Sequence, residues 1–283
     1  MEDTSGKIIK GCGIGCAVIF GLIILILAIG YFKVKDKLNE FKEFEELGTI
    51  IETKFGILED FTPSANSAEF NERIKRFVLI RNELFPLGKN LEEEILTFES
   101  SIKNQDESFW DAFDIMSSGL GLIPELLKYY KSRNDILIKY EMGLGEYYYN
   151  YIIVYYCLLN KSPGDGPAFN ISNHISVELK EEQNESGWRS IEEERDEEIR
   201  KQANRYFIFF YSNLINNPEH KLADDFLGVL QNELDKLKEN KLRLPWSEGL
   251  PPFYTDVLEK QQTTLDSLYI KMLNPVEMNE MPE

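Results

Sequence analysis

The sequence predicts an all-α protein: a single N-terminal transmembrane helix followed by a multi-helix bundle that a long acidic loop interrupts. Three observations carry that expectation. Twenty-two consecutive residues without a charge, Gly11 to Phe32, lie between Lys10 and Lys33. Downstream, apolar side chains recur at spacings of three and four, the period of one helix face. No stretch shows the sustained alternation of a half-buried strand. The organisation is then a short tail (1–10), a membrane helix (11–32) and a helical domain (33–283) interrupted by a flexible acidic loop at 160–190.

At 1.5 Å per residue the uncharged run spans roughly 33 Å as a helix, enough for the hydrocarbon core of a bilayer. It is longer than the roughly 7–15 apolar residues of a cleaved signal sequence. Lys33, Lys35 and Lys37 follow it directly, as they follow a retained anchor, although Ala28-Ile29-Gly30 offers the small residues a signal peptidase reads. Gly13, Ala17 and Gly21 stand four apart, a spacing that lets two membrane helices approach closely and predicts self-association. Lys and Arg flank both ends in similar number, so orientation is nearly balanced. A short basic tail, one helix and a large domain is the layout of an exported signal-anchored protein, which places the domain on the extracytoplasmic side of the cell membrane.

The domain begins with Lys33 to Phe55, where Val34, Leu38, Phe41, Phe44 and Leu47 form an apolar stripe that continues the anchor helix. Phe70, Ile74, Phe77, Ile80 and Leu84 form the next face, with Asn66 and Glu69 as a capping box and Pro86 as its end. Leu91, Ile95, Phe98 and Ile102 repeat the pattern in a further helix behind Asn90 and Glu93. Ser190 and Glu193 form a second capping box, ahead of Ile199, Ala203, Tyr206, Phe210 and Leu214. Asn217-Pro218-Glu219 has the make-up of a helix start, with Leu227, Leu230, Leu234 and Leu237 as its face. Tyr254, Leu258, Leu265, Leu268 and Met272 keep a near-heptad spacing around Gln261, which predicts a last continuous helix.

The break comes at Asn160 to Gly187, with Pro163-Gly164-Asp165-Gly166-Pro167 and little periodic apolarity, a long mobile loop between helical halves. Glu178 to Glu198 carries ten acids against three bases, a solvated face or a docking site for cations or basic partners.

Six of the fourteen tyrosines fall between Tyr147 and Tyr156. Glu146, Asn150 and so many hydroxyls argue against a second membrane span and for a buried core helix whose phenols reach polar partners. The functional alternative is a ligand groove lined by Tyr147, Tyr151 and Tyr155. Arg81 falls near the apolar face of Phe70 and Phe77, and Glu146 interrupts the tyrosine helix. Opposite charges near a core pair, because leaving one alone there is costly, so Arg81 and Glu146 are expected to meet.

Of 31 Lys and Arg and 49 Asp and Glu, only Lys7, Lys10, Glu2 and Asp3 precede residue 33, so the domain keeps the whole net charge of −18. Such a field repels nucleic acid. There is no P-loop, HExxH or G-x-S-x-G. His174 and His220 are the only histidines, and neither sits in an E-x-x-H spacing that a di-iron bundle uses. Cys157 stands in an apolar, tyrosine-rich stretch where a thiolate is disfavoured. No catalytic residue, metal or cofactor is expected.

Phe61 to Pro86, with Arg73-Ile74-x-Arg76-Phe77-x-x-Ile80-Arg81, resembles a pattern in a loose group of bacterial single-pass membrane proteins. These also begin with a Gly/Cys-rich apolar segment and carry a tyrosine-rich helix like Glu146 to Tyr156. The resemblance covers the first 160 residues; it implies a bacterial membrane-anchored helical domain and transfers no functional residue. The expected function is a non-enzymatic interaction or scaffold domain at the cell envelope, binding the bilayer through 11–32 and either a protein partner or itself. The alternative is a single-pass sensor holding a small ligand in the tyrosine-lined pocket.

Overall fold

Phe70, Ile74, Phe77, Ile80 and Leu84, the residues of the first predicted face in the domain core, are all at most 1% exposed. They belong to a bundle seen in a computed structural model that describes residues 46–64, 66–103, 109–171, 177–178, 190–217 and 223–278. The expected membrane helix 11–32, with Gly13, Ala17 and Gly21, lies outside the described residues, as do both histidines. Among the described residues, no helix is long and apolar enough to cross a membrane.

The described part opens with a helical stretch, α1 (46–55), that buries Ile51. The face of Phe70 then lies on α2 (Ser67–Lys103), whose start is capped from upstream. Asn66 Oδ1 accepts the amides of Ala68 (2.8 Å) and Glu69 (3.4 Å). The Glu69 carboxylate does not close the capping box on Asn66. It accepts from Ser64 Oγ (2.8 Å), which in turn accepts the Asn66 amide (3.0 Å), so the box is relayed through one more residue.

Pro86 does not end the helix: α2 runs through it for 37 residues. Leu91, Ile95 and Phe98 stay buried in register with Leu84, so one continuous apolar face is packed by a single rod. Pro86 itself is exposed, and the Asn82 carbonyl that loses its amide partner faces the hydrated side of the helix. Burial of the rest of the face outweighs the missing bond.

Helix α3 (Phe109–Lys139) packs along α2 in the most extensive helix pairing of the described residues. The tyrosine segment follows as α4 (Leu144–Tyr151), which widens without a break into a π-helix over Ile152–Leu158. Its residues Tyr147 to Tyr156 are all buried, the core helix predicted from their pattern.

The loop that follows is tied down over its described part. Arg195 donates to the carbonyls of Gly164 (3.0 Å), Pro167 (2.6 Å) and Phe169 (3.0 Å). Gly166, at φ +154, lets that guanidinium lie where a Cβ would stand 2.5 Å from it. A two-residue antiparallel ladder, β1 (Asn170–Ile171) and β2 (Val177–Glu178), pairs Asn170 with Glu178 and Ile171 with Val177. Within the loop expected over 160–190, the carbonyls of Gly164, Pro167 and Phe169 are thus held by a buried arginine.

Helix α5 (Ile191–Asn216) begins with the predicted Ser190–Glu193 capping box and buries Ile199, Ala203, Tyr206, Phe210 and Leu214. Helix α6 (Asp224–Glu239) starts six residues later than Pro218, with Ala223 as its cap. The last predicted helix is instead broken into α7 (Pro252–Leu258), a 3₁₀ turn at Glu259–Gln261, α8 (Gln262–Ser267), a second 3₁₀ turn at Lys271–Leu273, and α9 (Asn274–Met278). Breaking it lets the chain fold back: Leu265, Leu268, Ile270, Leu273, Val276 and Met278 are all buried. Gly88 of α2 accommodates this return, because its Cβ would stand 2.7 Å from Ile270 and 2.9 Å from Leu273.

Candidate functional site

The return of the C-terminal segment decides what Arg81 meets. Glu277 of α9 enters the core and forms an ion pair with Arg81, at 1% and 2% exposure. The expected Arg81–Glu146 pair does not form. Glu277 completes its shell with the hydroxyls of Tyr129 on Oε1 and Tyr147 on Oε2, both at 2.6 Å. Arg81 spends its other donors on Tyr147 Oη (2.8 Å), Tyr155 Oη (3.2 Å) and the Leu268 carbonyl (3.1 Å). Burial would raise the Glu277 carboxyl, but Arg81 and the two phenols outweigh it and hold it below the ordinary carboxylate range. Burial, reinforced for both by the Glu277 charge, keeps Tyr129 and Tyr147 well above the ordinary phenol range.

This closes the groove expected from the tyrosines. Tyr147, Tyr151 and Tyr155 are fully buried, and their hydroxyls are taken by Arg81, Glu277 and Asn274. Asn274 Oδ1 also accepts Tyr156, while its amide nitrogen donates to Pro163 (2.8 Å) and Asp165 (3.2 Å). The phenols are therefore internal partners, not a ligand surface. Nearby, the fully buried Arg133 guanidinium lies over the rings of Tyr130 (4.9 Å), Tyr148 (5.9 Å) and Tyr147 (6.0 Å), and none of its nitrogens has a hydrogen-bond partner. Cys157 Sγ donates to the Pro245 carbonyl (3.1 Å), and burial pushes the thiol up, so it stays protonated.

An open locus lies at the first turn of α4. The chain leaves α1 at Gly56, whose φ of +83 suits the left-handed turn, and crosses as a strap with a 3₁₀ turn at Leu58–Asp60. Asn213 of α5 fastens the strap by donating to the Glu59 (2.6 Å) and Phe61 (3.2 Å) carbonyls. The strap lies so close to α4 that a Cβ on Gly143 would stand 2.8 Å from Phe55, and one on Gly145 2.7 Å from the Leu58 carbonyl. Between strap, α2 and the start of α4 is a cleft of about 460 Å³. That volume falls in the range of small-ligand sites.

Glu146 forms part of the cleft wall and is 8% exposed. Its Oε2 meets Arg73 Nη1 at 3.0 Å, while Oε1 is buried without a partner. Arg73 also donates from Nε and Nη2 to Glu69 Oε1 (3.1 and 2.6 Å). Burial raises the Glu146 carboxyl, and the Arg73 and Arg76 charges offset only part of that rise.

Glu277, Asn274 and Tyr129 are members of this buried polar network that the sequence patterns did not single out. One signal for the first two is present: Asn274-Pro275-Val276-Glu277 has the same cap, Pro and acid order as Asn217-Pro218-Glu219. Among the described residues, no group of three or more His, Cys, Asp or Glu is placed to hold a metal.

The described residues define a helical bundle with a sealed polar centre and an open acidic cleft. No protein family matches this chain, and no curated protein or solved structure is significantly similar to it.

Proposed function

We propose that this chain is a single-pass membrane protein whose helical domain binds, and does not transform, a partner at the cell envelope, and that the cleft beside Glu146 is where it binds. The single observation carrying this is the contrast between two polar loci. Around Arg81 and Glu277 the polar groups satisfy one another out of reach of solvent. Around Glu146 a cavity of ligand size opens between the strap, α2 and the start of α4, with the exposed Arg76 on its wall. The run Gly11–Phe32 supports the tether. The sensor function expected of the tyrosine helix passes to this cleft, since Tyr147, Tyr151 and Tyr155 are enclosed.

The test is a thermal-shift screen of the full chain in neutral detergent against small cations, anions and neutral compounds. Thr62, on the cleft wall, is replaced by Trp to fill it. A compound that raises Tm in the wild type and not in Thr62→Trp supports binding at the cleft. Shifts that persist in Thr62→Trp, or none with any compound, overturn it.

A further inference from the structure

We infer that the guanidinium of Arg133 holds a small inorganic anion, chloride or one of its size, inside the bundle. This site lies in the core and is independent of the cleft. Three observations converge on it.

The first is a set of unused donors. Arg133 is 0% exposed, and its Nε, Nη1 and Nη2 all stand without a hydrogen-bond partner. Those nitrogens carry five N–H groups, and the guanidinium stays charged at every ordinary pH. Donors of a charged group that are buried and unmade cost its desolvation, and an acceptor that reaches them removes that cost.

The second is the balance of buried charge. Among the described residues six charged side chains are buried. Arg81 pairs with Glu277, Glu146 with Arg73, and Glu233 with Arg243. Arg195 has no carboxylate, but it donates to three backbone carbonyls. Arg133 has neither. Glu277, whose charge reaches Arg133, is bound to Arg81, Tyr129 and Tyr147 instead. The Arg81–Glu277 pair is neutral, so Arg133 leaves the polar centre with one positive charge in excess. Water would take up hydrogen bonds and leave that charge in place; an anion removes both deficits.

The third is the shape of the surroundings. The guanidinium carbon lies over the rings of Tyr130, Tyr148 and Tyr147, at 4.9, 5.9 and 6.0 Å from their centroids. Ring faces attract the cation, but by less than its burial costs, and they take none of its five N–H groups to full strength. Those groups fan out in one plane, where a spherical anion accepts several of them in charge-assisted bonds. Enclosure favours a monoatomic ion, which needs only a local opening of the bundle to enter.

The test uses the full chain in neutral detergent at about 150 mM ionic strength, with sodium chloride replacing sodium gluconate in steps. Wild-type Tm is expected to rise saturably, by roughly 3–6 °C at a tenfold excess of chloride over its Kd. Arg133→Met is expected to show no chloride response. A second measurement needs no variant: wild-type crystals grown in sodium bromide are expected to show an anomalous peak within hydrogen-bond distance of the Arg133 nitrogens. A wild-type Tm indifferent to chloride, an equal rise in Arg133→Met, or no bromide beside the guanidinium each overturns the inference. If Arg133→Met does not fold, the wild-type Tm and the bromide peak decide it.

Discussion

Arg81 and Glu277 stand 196 positions apart in sequence and pair in the core, with Tyr129 and Tyr147 closing the carboxylate and Tyr155 accepting from the guanidinium. The pair ties the last described helix, α9, to the middle of α2. Removing one partner leaves the other charge buried alone. Arg81→Met is therefore expected to cost about 3–5 kcal/mol, and the double replacement Arg81→Met/Glu277→Leu distinctly less than the sum of the singles. The same cycle between Arg81 and Glu146 is expected to show little coupling. Denaturant unfolding of the four-variant sets measures both; equal coupling in the two cycles contradicts the observed pairing.

Arg133 predicts the opposite behaviour. Its nitrogens have no hydrogen-bond partner, and it contacts the faces of Tyr130, Tyr147 and Tyr148. Cation–π attraction of roughly 2 kcal/mol when desolvated is set against the larger expense of burying a guanidinium. In chloride-free buffer Arg133→Met is expected to change stability by less than about 1 kcal/mol or to raise it. A loss as large as that of Arg81→Met in the same unfolding assay refutes this.

The acid limb of the stability profile follows from Glu277. Its folded carboxyl lies below the ordinary range, so the unfolded chain takes up protons first as pH falls. The contribution is complete above about pH 4.3, the unfolded value, and is lost as pH drops through the folded one. Glu277→Gln is expected to be less stable at neutral pH and to lose less on acidification than the wild type. Tm measured from pH 7 down to pH 3 reads this; parallel profiles contradict it.

Two glycines offer a paired test of the strap. Gly145→Ala puts a methyl 2.5 Å from Phe61 Cβ and 2.7 Å from the Leu58 carbonyl, where backbone has to move. Overpacking of that kind costs about 1–3 kcal/mol. Gly228, in α6, has nothing within 4 Å of where a Cβ would stand, so Gly228→Ala gains about 0.5–1 kcal/mol of helix propensity. Opposite signs in thermal unfolding are expected; a neutral Gly145→Ala denies the close approach.

Local features of the fold were legible because their causes are local. The Phe70–Leu84 face, the Ser190–Glu193 box and the burial of Tyr147–Tyr156 each follow from spacing within one or two helical turns. Pro86 misled because its local cost of about 3 kcal/mol is outweighed by the continuous burial of Leu84, Leu91, Ile95 and Phe98, which only the partner helix makes visible. Arg81 misled for a related reason: that it needed a carboxylate was readable, but not which of the 49 acids a fold-back of the last helix would bring to it. The cleft left no pattern at all. It is built by a strap, two glycines and Asn213, residues whose importance lies in where the backbone passes.

Hydrogen–deuterium exchange of the full chain, with and without a compound that raises Tm in the thermal-shift screen, tests the central claim most directly. Binding at the cleft predicts added protection confined to the strap, 55–62, the start of α2 and residues 141–146. Unchanged exchange there, or protection centred on the tyrosine helix beyond Tyr147, would contradict it.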